Sequence, residues 1–157
     1  TLLIGHSERR HILGEEQSFI AKKYAYAKEK KSEIIYCVGE PQEIREQGID
    51  AVMRYIWEQF EDIDMSYERL IVAYEPVWAI GTGLSASLAD IEEVLARLAQ
   101  KLSAPLLYGG SVKVDNLESI LHVKHCQGVL VGTASWNEEA FCKMIEIADS
   151  VTKGCVR

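Results

Sequence analysis

A short, nearly continuous apolar run alternates five times with a stretch of helical periodicity, and this alternation restricts the chain to the α/β class. The runs occupy residues 2–5, 34–39, 70–74, 105–109 and 128–132. Runs that are apolar throughout suit parallel strands covered on both faces, whereas half-exposed antiparallel strands alternate. Between the runs, apolar residues recur at helical spacing: Phe19, Ala21, Tyr24 and Ala27, then Val52, Tyr55, Ile56 and Phe60, then Ile91, Val94, Leu95 and Leu98. The first intervals are about 35 residues, enough for a strand, a crossover helix and two turns. No shift in composition divides the 157 residues, so they read as one domain or one piece of one.

Composition narrows the possible partners. With 48% hydrophobic and 26% charged residues, the chain supports one substantial core. A net charge of −7, concentrated between residues 51 and 100, argues against nucleic acid and anionic membranes as partners. No apolar run approaches the ~20 residues of a bilayer span. Cys37, Cys126, Cys142 and Cys155 lack CxxC spacing, which fits reduced thiols in a cytoplasmic protein. His122, His125 and Cys126 have no second ligand set beside them, so no metal is expected there.

Two architectures accommodate five βα units: an open, doubly wound sheet of flavodoxin type, and part of a (β/α)8 barrel. The position of the polar motifs separates them. His6-Ser7-Glu8-Arg9-Arg10, Gly39-Glu40, Glu75-Pro76-Val77-Trp78, Gly109-Gly110-Ser111 and Gly132-Thr133-Ala134-Ser135 each follow the carboxyl end of an expected strand. An open sheet gathers only the loops at its switch point around a ligand. A barrel brings every strand end to one mouth, and chemistry on five successive strands favours it.

The motifs also have physical roles of their own. Glu75 ends a strand and precedes a proline, an extended setting that directs its carboxylate to the barrel mouth. His6 precedes an expected helix start, where a cation is disfavoured and a neutral imidazole can donate one N–H. Glu8, in the first helical turn, matches the positive helix end. Gly109-Gly110 and Gly132-Thr133 offer backbone N–H groups able to hold a phosphate without a basic side chain. In residues 76–84, Pro76 and Trp78 fence one end while Gly81 and Gly83 allow a change of conformation. Each feature alone has a plainer explanation: a surface carboxylate, a buried histidine, an ordinary turn.

Taken in register, residues 4–10, 73–83 and 107–112 resemble the triosephosphate isomerase family, over a span from residue 2 to about 151. The resemblance implies a (β/α)8 barrel of which residues 1–157 form an incomplete domain, units four to eight, with three units upstream. A start in which Thr1 leads straight into the apolar Leu2-Leu3-Ile4 suits a missing upstream part. It implies interconversion of dihydroxyacetone phosphate and D-glyceraldehyde 3-phosphate through an enediolate, a glycolytic and gluconeogenic step needing no cofactor. Glu75 would be the base, His6 the neutral electrophile and Glu8 an electrostatic and positional neighbour. Phosphate would meet Gly81, Gly110, Ser111, Gly132 and Thr133, under a lid that includes Pro76, Val77, Trp78, Ala79, Ile80, Thr82 and Gly83.

The resemblance further implies a cytoplasmic homodimer in full-length form, and little activity for the isolated chain. Leu84 stands where the family usually has lysine, and Thr133 where it usually has a second glycine. The family's catalytic lysine and a neighbouring asparagine follow its first strand and have no assignable counterpart here. A phosphate-binding remnant without catalysis is the alternative. A flavin-binding open sheet is disfavoured, because its phosphate loop would occupy the place of residues 6–10.

Overall fold

A computed structural model describes residues 1–80 and 85–154. Four parallel strands, β1 (Leu2–Ile4), β2 (Ile34–Val38), β3 (Leu70–Tyr74) and β4 (Leu106–Tyr108), lie side by side in chain order. That order decides between the two architectures. A doubly wound sheet reverses direction at a switch point. Here each crossover advances one strand in the same direction, and the right-handed rule for such crossovers places the connecting helices on one face, as in a barrel.

The helices are α1 (Ser7–His11), α2 (Gln17–Glu29), α3 (Gln42–Arg45), α4 (Ile49–Glu58), α5 (Leu88–Ala99), α6 (Val114–Leu121) and α7 (Glu138–Gly154). α5 shows how local sequence sets an element. Ser87 and Asp90 form a reciprocal capping box at its start, which satisfies two amide donors that would otherwise lack acceptors. Ile91, Val94, Leu95 and Leu98 then bury one stripe completely, each contributing about 1.5–3 kcal/mol. In α2 the buried stripe is Ile20, Ala21, Tyr24 and Ala27. Phe19, expected inside, is one position out of phase; it is half exposed, with the Lys23 ammonium 4.6 Å from its ring centre.

The pleat sorts strand residues between two environments. Ile34, Tyr36, Val38, Leu70, Val72, Tyr74, Leu106 and Tyr108 face the helices and are all buried. On the opposite face, Ile35, Ile71 and Leu107 are only partly covered, and Leu3 is 44% exposed. The expectation that both faces are covered therefore holds on the helix side and at Cys37 and Ala73 near the carboxyl ends of the inner face, but not at Leu3, Ile35, Ile71 and Leu107. The expected fifth strand at 128–132 also changes character. It is a single parallel bridge, Val129 to Tyr108, held by Tyr108 N–H to Gly128 O at 3.0 Å and Leu130 N–H to Tyr108 O at 2.8 Å. A glycine at each end weakens strand propensity and keeps this pairing short.

Candidate active site

Glu75, Cys37 and Gly109 share the inner face at the carboxyl ends of the strands, and α1 closes over them. The backbone of Glu75 continues the sheet, its N–H donating to Val38 O at 2.7 Å. Its side chain is 2% exposed. The Ser7 N–H donates to Glu75 Oε2 at 2.9 Å across 68 residues of sequence. This amide is at the first helical position and has no acceptor within its own helix, so the carboxylate supplies one. His6 Nε2 stands 3.3 Å from Glu75 Oε1. His6 Nδ1 accepts the Glu8 N–H at 3.3 Å, so a neutral ring carries its proton on Nε2, the atom facing Glu75.

Burial raises the Glu75 pKa above the ordinary glutamate value. His6, the Ser7 amide and the nearby Cys37 thiol oppose that rise. Burial also pushes the Cys37 thiol well up, with the neighbouring Glu75 charge acting in the same direction. Cys37 is therefore a protonated, fully buried thiol packed near Glu75. A buried carboxylate with a raised pKa, with the His6 Nε2 atom 3.3 Å away, is placed to accept a proton from a bound substrate.

Two glycines make room for this carboxylate. A Cβ on Gly109 would stand 3.0 Å from Glu75 Cγ, and one on Gly39 would fall 1.8 Å from the Glu75 carbonyl oxygen. Gly39 is followed by Glu40, a completely buried acid that the sequence reading left without a role. Glu40 Oε1 accepts from the Tyr74 hydroxyl and from Trp78 Nε1, both at 3.0 Å. Val77 N–H donates to the Glu40 carbonyl at 3.0 Å. Burial raises the Glu40 pKa, against the pull of these donors and of nearby Arg45.

The first half of the expected lid is thus a single 3-10 turn, Val77–Ala79, anchored on Glu40 and flanked by Pro76 and Ile80. Gly81, Thr82 and Gly83, together with Leu84, lie outside the described residues. At the next strand ends, Gly110, Ser111, Gly132 and Thr133 have N–H groups with no acceptor among the described residues. The Ser111 carbonyl is fixed by Asn116 Nδ2 at 3.0 Å, so the turn carrying the Ser111 N–H is held from behind. Gly132 has φ −88° and begins a one-turn 3-10 helix, Thr133–Trp136. Thr133 is not among the positive-φ residues, so threonine bears no left-handed strain there. Glu8 is exposed in the first turn of α1.

Comparison with known sequences gives this arrangement a family. The profile described as triosephosphate isomerase matches residues 1–148. The chain belongs to the triosephosphate isomerase family. A relative named triosephosphate isomerase in a Nitratiruptor species is 54% identical over 148 residues, covering 94% of this chain and 64% of that protein. Another, in a Sulfurovum species, is 56% identical over 145 residues, covering 92% and 63%. The crystal structure of triosephosphate isomerase from Bartonella henselae superposes with a TM-score of 0.81 at 32% identity, over 92% of this chain and 63% of that one. The chain therefore spans less than two thirds of the length of these family members.

Proposed function

We propose that the chain carries the base, the electrophile and the phosphate cradle of a triosephosphate isomerase. The observation that carries this reading is the Ser7–Glu75–His6 contact, which joins residues far apart in sequence at one mouth of the sheet. In the proposed reaction the triose phosphate enters between His6 and Glu75. The Glu75 carboxylate removes the proton from the carbon next to the carbonyl, leaving an enediolate. His6 donates its Nε2–H to the carbonyl oxygen as negative charge grows there. Glu75 then returns the proton to the former carbonyl carbon, while His6 takes back a proton from the hydroxyl on the other oxygen. One proton has moved between the carbons and one between the oxygens, and no atom is gained or lost.

The phosphate would take the N–H groups of Gly110, Ser111, Gly132 and Thr133, with Gly81 contributing from the lid. Barrels commonly bind phosphate at the loops after strands seven and eight. That supports assigning the motifs at 109–111 and 132–135 to those units, and the whole chain to units four to eight. On this reading the complete protein is a cytoplasmic homodimer, and the isolated chain turns over little or nothing. The test is a coupled isomerase assay on the purified chain, with and without a polypeptide carrying a relative's first three βα units. Activity only in the mixture supports the proposal. Tight binding of a phosphorylated transition-state mimic by the mixture without turnover would assign the non-catalytic remnant instead. Robust turnover by the chain alone would overturn the incomplete-barrel reading.

A further inference from the structure

Glu75 stacks directly on the backbone of Gly39, so whatever fixes Gly39 fixes the floor beneath the carboxylate. Backbone groups along a parallel strand turn to alternate edges. Val38 O accepts from Glu75 N–H on the β3 side, so the Gly39 pair faces the β1 side, where β1 has already turned away at Gly5. The Gln59 side chain, from the carboxyl end of α4, fills that gap. Its Oε1 accepts the Gly39 N–H at 3.1 Å, and its Nε2 donates to Gly39 O at 2.8 Å. One primary amide thus replaces the missing strand neighbour on both backbone groups of a single residue. Gln59 is buried, and its own carbonyl accepts the Tyr36 hydroxyl. Tyr36 also receives Arg10 Nη2 at 3.0 Å, while Arg10 Nε donates to Gly5 O at 2.8 Å, next to His6.

We propose that Gln59 is a positioning residue for the reactive carboxylate: by clamping the Gly39 peptide it holds the backbone of Glu75 where the side chain meets Ser7 and His6. The proposal rests on the reading of Glu75 as the base, and it makes the carboxyl end of α4 part of the site. Leucine at this position would fill the same space without either prong, leaving two buried backbone groups unpaired.

The test uses the 157-residue chain and needs no turnover, so failure of the isomerase reading and failure of this one are separable. Ser7 amide exchange reports the Glu75 carboxylate directly, because no helical acceptor protects that N–H. Carboxyl carbon NMR reports the Glu75 titration, its resonance assigned by its loss in Glu75→Gln. In Gln59→Leu, Ser7 exchange should accelerate about tenfold or more, the effect of losing one buried hydrogen bond. The Glu75 midpoint should fall toward the ordinary glutamate value as water reaches the loosened carboxylate. Gln59→Glu keeps an acceptor for the Gly39 N–H and should give smaller changes of the same sign; it also carries the test if the leucine variant fails to fold. Leu98→Ala, a core truncation in α5, should destabilise the chain without a selective effect at Ser7 or Glu75. Unchanged Ser7 protection and Glu75 midpoint in a folded Gln59 variant, or the same pattern in Leu98→Ala, would overturn the proposal.

Discussion

Gly39→Ala tests the tightest contact behind the site. The added Cβ would fall 1.8 Å from the Glu75 carbonyl oxygen, where real Cβ contacts stop at 3.0 Å. One backbone must therefore move by about 1.2 Å, the difference between those distances. The obstructing atom is backbone within a sheet, so no side-chain rotation relieves the clash. Overpacking of this kind typically costs about 1–3 kcal/mol. Gly132→Ala is the matched control, because among the described residues nothing lies within 4 Å of its Cβ and its φ is −88°. Urea unfolding of the two variants should separate them by at least about 1 kcal/mol. In a completed barrel, a shift of this size at Glu75, the proposed base, should also reduce kcat by about 100-fold. If Gly39→Ala unfolds at the same urea concentration as wild type, the close approach of β2 and β3 at this point is wrong. The steric argument for both strand-end glycines would fall with it.

Glu75→Asp withdraws the carboxylate by one methylene. In a completed barrel, if Glu75 is the base as proposed, kcat should drop roughly 100-fold with KM little changed, measured in a coupled assay; near-normal kcat would remove Glu75 from that role. A valine at Gly110 must displace the Tyr108 ring, whose hydroxyl lies 2.2 Å from the added Cβ. A phosphorylated transition-state mimic should then bind about tenfold or more weakly, and unchanged affinity by titration would move the phosphate site elsewhere. Leu95→Ala in the buried stripe of α5 should cost about 2–5 kcal/mol in denaturant unfolding; a loss well below this range would mean that α5 packs loosely. Because burial raises the folded pKa of Glu40, the native state holds that proton more tightly than the unfolded state. Its stability contribution is full below the ordinary glutamate pKa and is lost as pH rises through the raised one. Glu40→Gln should flatten the fall of Tm across that window, and parallel Tm–pH curves would count against a destabilising Glu40 charge.

The parts of this protein legible in sequence were those set by local pattern. The α5 stripe of Ile91, Val94, Leu95 and Leu98 is visible from spacing, and the strand-end residues His6, Ser7, Gly39, Glu75 and Gly109 meet at one edge of the sheet because parallel strands all point the same way. Phase errors of one residue were harder to see. Phe19 is as apolar as Ile20, and only the packing of α2 on the sheet determines which of them is buried. Sheet coverage was not legible either, since Leu3, Ile35, Ile71 and Leu107 read as strand residues whether or not a partner surface covers them. Glu40 carried one signal, an acid directly after a strand-end glycine. Gln59 carried none, because a glutamine at the end of a helix looks solvent-facing until the fold brings Gly39 to it.

The site's construction explains why so much of it forms on an open sheet. The groups proposed to react are held by neighbours close in strand order: Ser7 and His6 from the end of β1, Gly39 from β2, Glu75 from β3 and Gly109 from β4. None of these contacts needs the sheet to close. They need only adjacent parallel strands whose ends are level, a condition met by the ladders linking Ile4 to Tyr36, Val38 to Tyr74 and Tyr74 to Tyr108. The half-covered inner face lies below this mouth, at Leu3, Ile35 and Ile71. Burying that face would add hydrophobic stability without rearranging the carboxylate or the imidazole. Closure of the barrel and preorganisation of Glu75 are therefore separable, so completing the inner face should raise stability while leaving the Ser7–Glu75–His6 geometry as it already is.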